Sequence, residues 1–152
     1  MIKNRIHKIT LEEVSKIERQ AKSEHGYIVK IDGKELATYN QYMLILAEKF
    51  VFKQDVENNV DAFLDWMRDF NNLQSKGYLS FNLIIFNWRL IFKGDKKIQE
   101  ELIDDLEFII DFWENEVEHV VVGGKKSSFQ VYLVEQENVS KNLFTRSFLN
   151  DK

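Results

Sequence analysis

The sequence contains no cysteine, which excludes disulfides and thiol catalysis and suits a reducing compartment. No apolar run approaches the ~20 residues of a membrane span. The opening stretch, MIKNRIHKITLEEV, lacks the apolar core of a secretion signal. A soluble, cytoplasmic protein is expected. Groups suited to catalysis are also scarce. His7, His25 and His119 are scattered along the chain, and no serine sits in a Gly-x-Ser-x-Gly setting. Gly123-Gly-Lys-Lys-Ser-Ser128 lacks the spacing of a phosphate loop, and β-like sequence follows it where a helix would be needed. Glu116-Val-Glu-His119 is half of a di-metal motif whose second copy is absent. Asp61 and Asp65 lie one helical turn apart in water, a poor setting for acid–base work. The expectation is therefore no enzyme, no cofactor and no metal.

What is present is a core and a surface. At 152 residues, 44% hydrophobic and 30% charged, with twelve Phe and three Trp, the chain suits one globular domain over 1–152. Residues 1–26 form a helical extension to it and 135–152 a C-terminal tail. The net charge of −4 is unevenly spread. Residues 54–75 carry five acidic and one basic side chain, and 98–118 carry nine acidic and none basic. The remainder is mildly basic. A nucleic-acid binder concentrates the opposite sign, so no direct nucleic-acid binding is expected. Two acidic faces suit a basic protein partner, whose approach they would steer. Plain solvation of acidic helix faces is the competing explanation.

Along the chain, Thr10 and Glu13 form a capping box, with Ile9 and Val14 as its hydrophobic staple. A short helix follows to about residue 24, and Gly26 is placed to terminate it. Its apolar stripe of Leu11, Val14, Ile17 and Ala21 is thin. Tyr27–Ile31 reads as a strand stopped by Asp32-Gly33. Thr38 and Gln41 form a second box, before a helix burying Tyr39, Tyr42, Met43, Leu46 and Ala47. A third helix spans about 59–71, and 71–80 reads as a loop. Leu83–Phe86 reads as a strand covered on both faces. Asp95 can cap a long helix from Lys96 to about Glu118, with Leu102, Leu106, Ile109 and Trp113 as its core stripe. Val120–Val122 and Phe129–Val134 are strand-like, with a possible hairpin loop between them. Strands separated by helical crossovers imply an α/β fold: a small, mainly parallel, three-stranded sheet with packed helices. Phe108 and Phe112 fall off the core stripe of the long helix, and the N-terminal helix is the spare element available to cover them.

The segment VENNVDAFLDWMRDF, Val56 to Phe70, carries the most information. Val60, Phe63, Leu64 and Met67 recur at the spacing of a core-facing helix. On its other side Asp61, Asp65 and Asp69 stack at i, i+4 and i+8, where each like-charge pair costs roughly 0.2–0.5 kcal/mol. Only Arg68 offers nearby relief. Such a stripe calls for a reason beyond folding.

The stretch Asn59-Val-Asp-Ala-Phe-Leu-Asp65 resembles the acidic helix of the barstar-like family of ribonuclease inhibitors. Tyr27–Gly33, Leu83-Ile-Ile-Phe-Asn-Trp-Arg89, and the 98–118 helix followed by Phe129–Val134 are similar to that family's other elements in the same order. The resemblance covers roughly residues 27–134. It implies a protein, of immunity or antitoxin type, that occludes the basic active site of a nuclease, with carboxylates taking the place of RNA phosphates. It further implies that Asp61 and Asp65 are the two key acids, that Asn59 is the loop Asn, and that Asp111 is the nearest candidate for a third acid from the last helix. Asp55 and Glu57 stand where the family commonly has Tyr and Gly, and Leu64 where an aromatic usually precedes the second acid. The partner-binding set is therefore Asp55, Glu57, Asn59, Asp61, Leu64, Asp65 and Asp111. The alternative is an interaction module of the same fold with a basic partner that is not a nuclease. The outer faces of the two acidic helices are expected on one side of the molecule, with Asp61, Asp65 and one or more of Glu107, Asp111 and Glu114 around a shared rim.

Overall fold

A computed structural model describes residues 5–135. The C-terminal tail, apart from Glu135, lies outside the described residues. The order is β1 (Arg5–Thr10), α1 (Val14–Ser23), β2 (Gly26–Asp32), α2 (Tyr39–Lys49), α3 (Val60–Trp66), α4 (Asn71–Ser75), β3 (Ser80–Phe86), α5 (Lys96–Asp111), α6 (Val117–Val120) and β4 (Ser128–Glu135). All strand pairs are parallel, in the order β1-β4-β3-β2. The α/β fold holds, but the sheet has four strands rather than three.

The additional strand is β1, so the N-terminal segment is a strand followed by a helix rather than a helix alone. Its residues alternate, Ile6 packing against the main core and Ile9 against a second cluster on the opposite face. Val120–Val122 is not a strand, and there is no hairpin. Val120 closes α6, and the chain turns through Gly123 into β4, which pairs in parallel with β1 and β3.

Period-2 alternation divides the two faces of the sheet. Val29, Ile31, Phe81, Leu83, Ile85, Phe129, Val131 and Leu133 enter the main core with Phe63, Met67, Leu102, Leu106, Ile109 and Trp113. On the other face Ile9, Ile84 and Val134 meet Val14 and Ile17 of α1. The helix therefore docks on the sheet, away from Phe108 and Phe112. The proposed cover of those rings by α1 is wrong. Phe112 is buried in the main core and Phe108 stays about half-exposed, with the Arg68 guanidinium lying 4.9 Å from the Phe108 ring and 5.7 Å from that of Phe112.

The helix starts follow their capping residues. Glu13 accepts from the Thr10 backbone N–H at 2.8 Å, the Gln41 N–H donates to Thr38 Oγ1 at 3.1 Å, and Asp95 accepts from Lys97 and Ile98. The ends follow less well. The left-handed residue after α1 is His25, whereas Gly26 already begins β2. A Cβ on Gly26 would lie 2.6 Å from Ser80 Oγ and 2.8 Å from the Ala21 carbonyl oxygen, so the missing side chain permits close approach of helix and sheet. The third helix stops at Trp66, and Asp69 instead accepts from the Asn71 N–H at the start of α4. The acidic stripe is thus two residues long on α3. The stretch read as a loop contains α4. Near its end the long helix takes one π-helical turn over Phe112–Glu116, which lets both Phe112 and Trp113 face inward.

The C-terminus of α2 supplies a stability test. Phe52 N–H bonds to the Ala47 carbonyl and Val51 N–H to that of Glu48, the pairing of a Schellman cap. Val51, the residue in its left-handed position, has φ +60°. A β-branched side chain there is strained by roughly 1–2 kcal/mol, partly offset in glycine by unfolded-state entropy. Because Val51 is half-exposed, Val51→Gly should stabilise the protein by about 1 kcal/mol, read as a higher urea midpoint at unchanged m-value. A lower midpoint would show that the Val51 side chain contributes more by packing than it costs in strain.

Candidate functional site

The acidic surface is built on a loop that the backbone holds in place. Val56 is fully buried and anchors it. The exposed Asp55 carboxylate accepts from the Glu57 N–H at 3.0 Å, and Asn59 N–H donates to the Val56 carbonyl at 2.9 Å. Asn58 adopts φ +53°, and its N–H donates to Asn40 Oδ1 on α2 at 2.7 Å. Asn59 then caps α3, its Oδ1 accepting from Ala62 N–H at 3.0 Å. Asp55, Glu57 and Asp61 all point to solvent. The Asn40 anchor has no sequence signal, because nothing local links a residue of α2 to a loop eighteen residues later.

On α3, Phe63 and Met67 are fully buried. Val60, expected in the core stripe, is 42% exposed, because it opens the helix beyond the edge of the core. Leu64 is half-buried against the core. Val60 and Leu64 are four apart and so share a face, giving a small apolar strip beside Asp61 and Asp65.

Asp65 is exposed, but it is not bare. Arg68 donates to its Oδ1 at 2.6 Å and to the Leu64 carbonyl at 3.1 Å. The same guanidinium lies over Phe108 of α5 and Phe112 of the π-helical turn, so the outer sides of α3 and α5 meet at Arg68. Trp113 reinforces this junction by donating its indole N–H to the Met67 carbonyl at 3.0 Å. Asp111 and Glu107 are exposed on α5 to either side of Phe108, and Glu114 is partly exposed. The Asp111 carboxylate accepts from Asn115 at 2.7 Å. Among the described residues no hydrogen bond or ion pair joins Asp111 to Asp61 or Asp65. Arg68 is the bridging residue that the sequence offered only as local charge relief.

Deeper on α5, Asp105 accepts the Tyr39 hydroxyl. Burial first, then the neighbouring Tyr42, pushes the Tyr39 phenol far above its ordinary range, so it stays a neutral donor. This bond joins α2 to α5 under the acidic surface. Among the described residues no group of three or more His, Asp or Glu is placed to hold a metal ion. No helix among them is long and apolar enough to cross a membrane.

Comparison with curated proteins and with solved structures finds no match. Comparison with protein families does. The match spans β2 to β4 and takes in the loop, α3 and α5, leaving β1 and α1 outside it. Over residues 27–134 the chain belongs to the barstar (barnase inhibitor) family.

Proposed function

We propose that the protein is an immunity- or antitoxin-type inhibitor acting in the cytoplasm, which occludes the basic active site of a nuclease with the 55–59 loop and α3. The observation that carries this reading is the fixed loop–helix unit, which holds Asp55, Glu57, Asp61 and Asp65 in solvent before any partner arrives. Preorganisation lowers the ordering cost of binding. Asp61 and Asp65 would meet cationic side chains in the nuclease. Leu64 with Val60 would supply the apolar contact that an aromatic gives elsewhere in the family. Asn59 would shape the loop, and Asp111 would extend the acidic rim.

Asp55 and Glu57 decide the specificity. They add charge where the family's loop commonly offers a ring and a glycine, and such mismatches discriminate against an enzyme fitted to the usual loop. Weak or no inhibition of barnase is therefore expected, with tight inhibition of a more basic nuclease encoded nearby. Binding should fall steeply with salt, since attraction between exposed charges is screened beyond ~10 Å at 0.1 M. Inhibition titrations against both enzymes at low and high salt test this. Tight, salt-insensitive inhibition of barnase would show the two loop acids to be neutral. Failure to inhibit either nuclease, with tight capture of a basic protein lacking nuclease activity, would favour the interaction-module alternative.

A further inference from the structure

The α1-covered face of the sheet contains a feature that the partner surface does not use. A parallel sheet buried on both faces is ordinarily lined by Val, Ile and Leu. Here that holds only toward the C-terminal ends of the strands. Toward their N-terminal ends, the register of the two central strands sets Ser80 opposite Ser128 and Asn82 opposite Gln130. Ser80, Asn82 and Gln130 are all buried. With His7, Tyr132 and the end of α1 they line a cavity of about 200 Å³. It has room for several waters or for a ligand of roughly ten non-hydrogen atoms. His7, Gln20 and Glu24 come from β1 and α1, so the segment outside the family match closes this space.

The hydrogen-bonding capacity of the lining is only partly used. Asn82, 5% exposed, donates its Nδ2 to the Tyr27 carbonyl at 3.2 Å and to Ser80 Oγ at 3.4 Å. Its Oδ1 has no hydrogen-bond partner among the described residues. This oxygen is not sealed off as a buried orphan, so a water or a ligand N–H in the cavity can donate to it. Gln130 donates to Ser128 Oγ at 2.9 Å and pairs its Oε1 with His7 Nε2 at 2.7 Å, which makes that ring nitrogen the donor. Both serine hydroxyls act as acceptors in these bonds, and their own O–H groups remain available to donate. The His7 and Tyr132 rings stack with centroids 4.9 Å apart and form one aromatic wall. Burial first, then the Glu24 carboxylate, raises the Tyr132 phenol above its ordinary value, which keeps it protonated.

The charge of the lining selects against anions. No Lys or Arg lines the cavity, and Glu24 stands beside it. A phosphate would be repelled and would find no counter-charge.

We propose that this cavity binds a small uncharged heterocycle with an N–H beside a carbonyl, the edge presented by a free nucleobase. The ligand N–H donates to Asn82 Oδ1, its carbonyl accepts from the Ser80 or Ser128 hydroxyl, and its ring lies along the His7–Tyr132 wall. The test is a nuclear magnetic resonance titration of the full chain with uracil, hypoxanthine and orthophosphate, read on the His7 ring signals. Saturable shifts are expected with at least one nucleobase and none with orthophosphate. Ser128→Ala removes one donor, and Gln20→Trp crowds the cavity from an exposed position on α1. Each should weaken nucleobase binding by about tenfold or more while leaving the melting temperature within a few degrees of wild type. Silence of His7 toward both nucleobases would leave water as the occupant and overturn the proposal. Binding of orthophosphate, or nucleobase binding indifferent to both substitutions, would overturn it equally.

Discussion

Phe63→Ala is expected to cost about 3–5 kcal/mol of folding stability, the largest loss anticipated from one substitution. Phe63 has no exposed surface and lies where α3 meets α2, its ring 5.8 Å from Tyr42 and 6.2 Å from Phe52. Truncation removes the transfer energy of the ring and leaves a void among side chains that cannot close it. Tyr42 is held on its other side by Tyr39 and Phe92. For a domain with about 5–15 kcal/mol of total stability, the loss amounts to between about a fifth and all of it. Urea unfolding with a fitted midpoint and slope decides it. A loss below about 1.5 kcal/mol would mean that α3 can collapse onto α2, and that the acidic helix is less firmly positioned than its burial implies.

Asp65→Ala is expected to do the reverse, sparing the fold and impairing the proposed function. Its only ion pair among the described residues is with Arg68, and the Asp65 side chain is 74% exposed, so losing it should change stability by no more than about 1 kcal/mol. Relief of repulsion with Asp61 acts in the opposite direction. Binding to the nuclease should weaken by about 2–5 kcal/mol, the range for truncating one member of a desolvated charge pair, with the barnase–barstar complex itself among the cases that define it. Arg68 adds a second readout. If Asp65 exchanges Arg68 for a cation of the partner, Arg68→Ala removes a competitor while uncovering Phe108, and the two variants should couple in a double-mutant cycle. An Asp65→Ala variant that melts far below wild type would recast the carboxylate as structural. An Asp65→Ala variant that binds as well as wild type would remove it from the interface.

The acidic surface was largely legible before the fold, because its signals are local. Asp61 and Asp65 are exposed because the helix period that buries Phe63 and Met67 turns them outward, and Asn59 before them is marked by its residue type as the helix cap. The polar cavity was not legible. Asn71–Ser80 reads as loop, so the alternation that sets Ser80 and Asn82 facing α1 was hidden until β3 was seen to begin at Ser80. Its partners Ser128 and Gln130 lie more than forty residues away.

The sequence by itself determined the class of fold, the capped starts of α1, α2 and α5, most of the buried positions and the placing of charge. Those properties rest on hydrogen bonds and side-chain periods that close within about four residues. Only the tertiary structure decided that residues 5–10 form a strand, that α1 lies on the far face from Phe108, that the acidic helix breaks after Trp66, and that Arg68 ties Asp65 to α5. Parallel pairing joins Arg5 to Gln130 across most of the chain, and a segment like RIHKIT becomes a strand because an open edge of β4 accepts its backbone. An edge of that kind exists only once the other strands are in place.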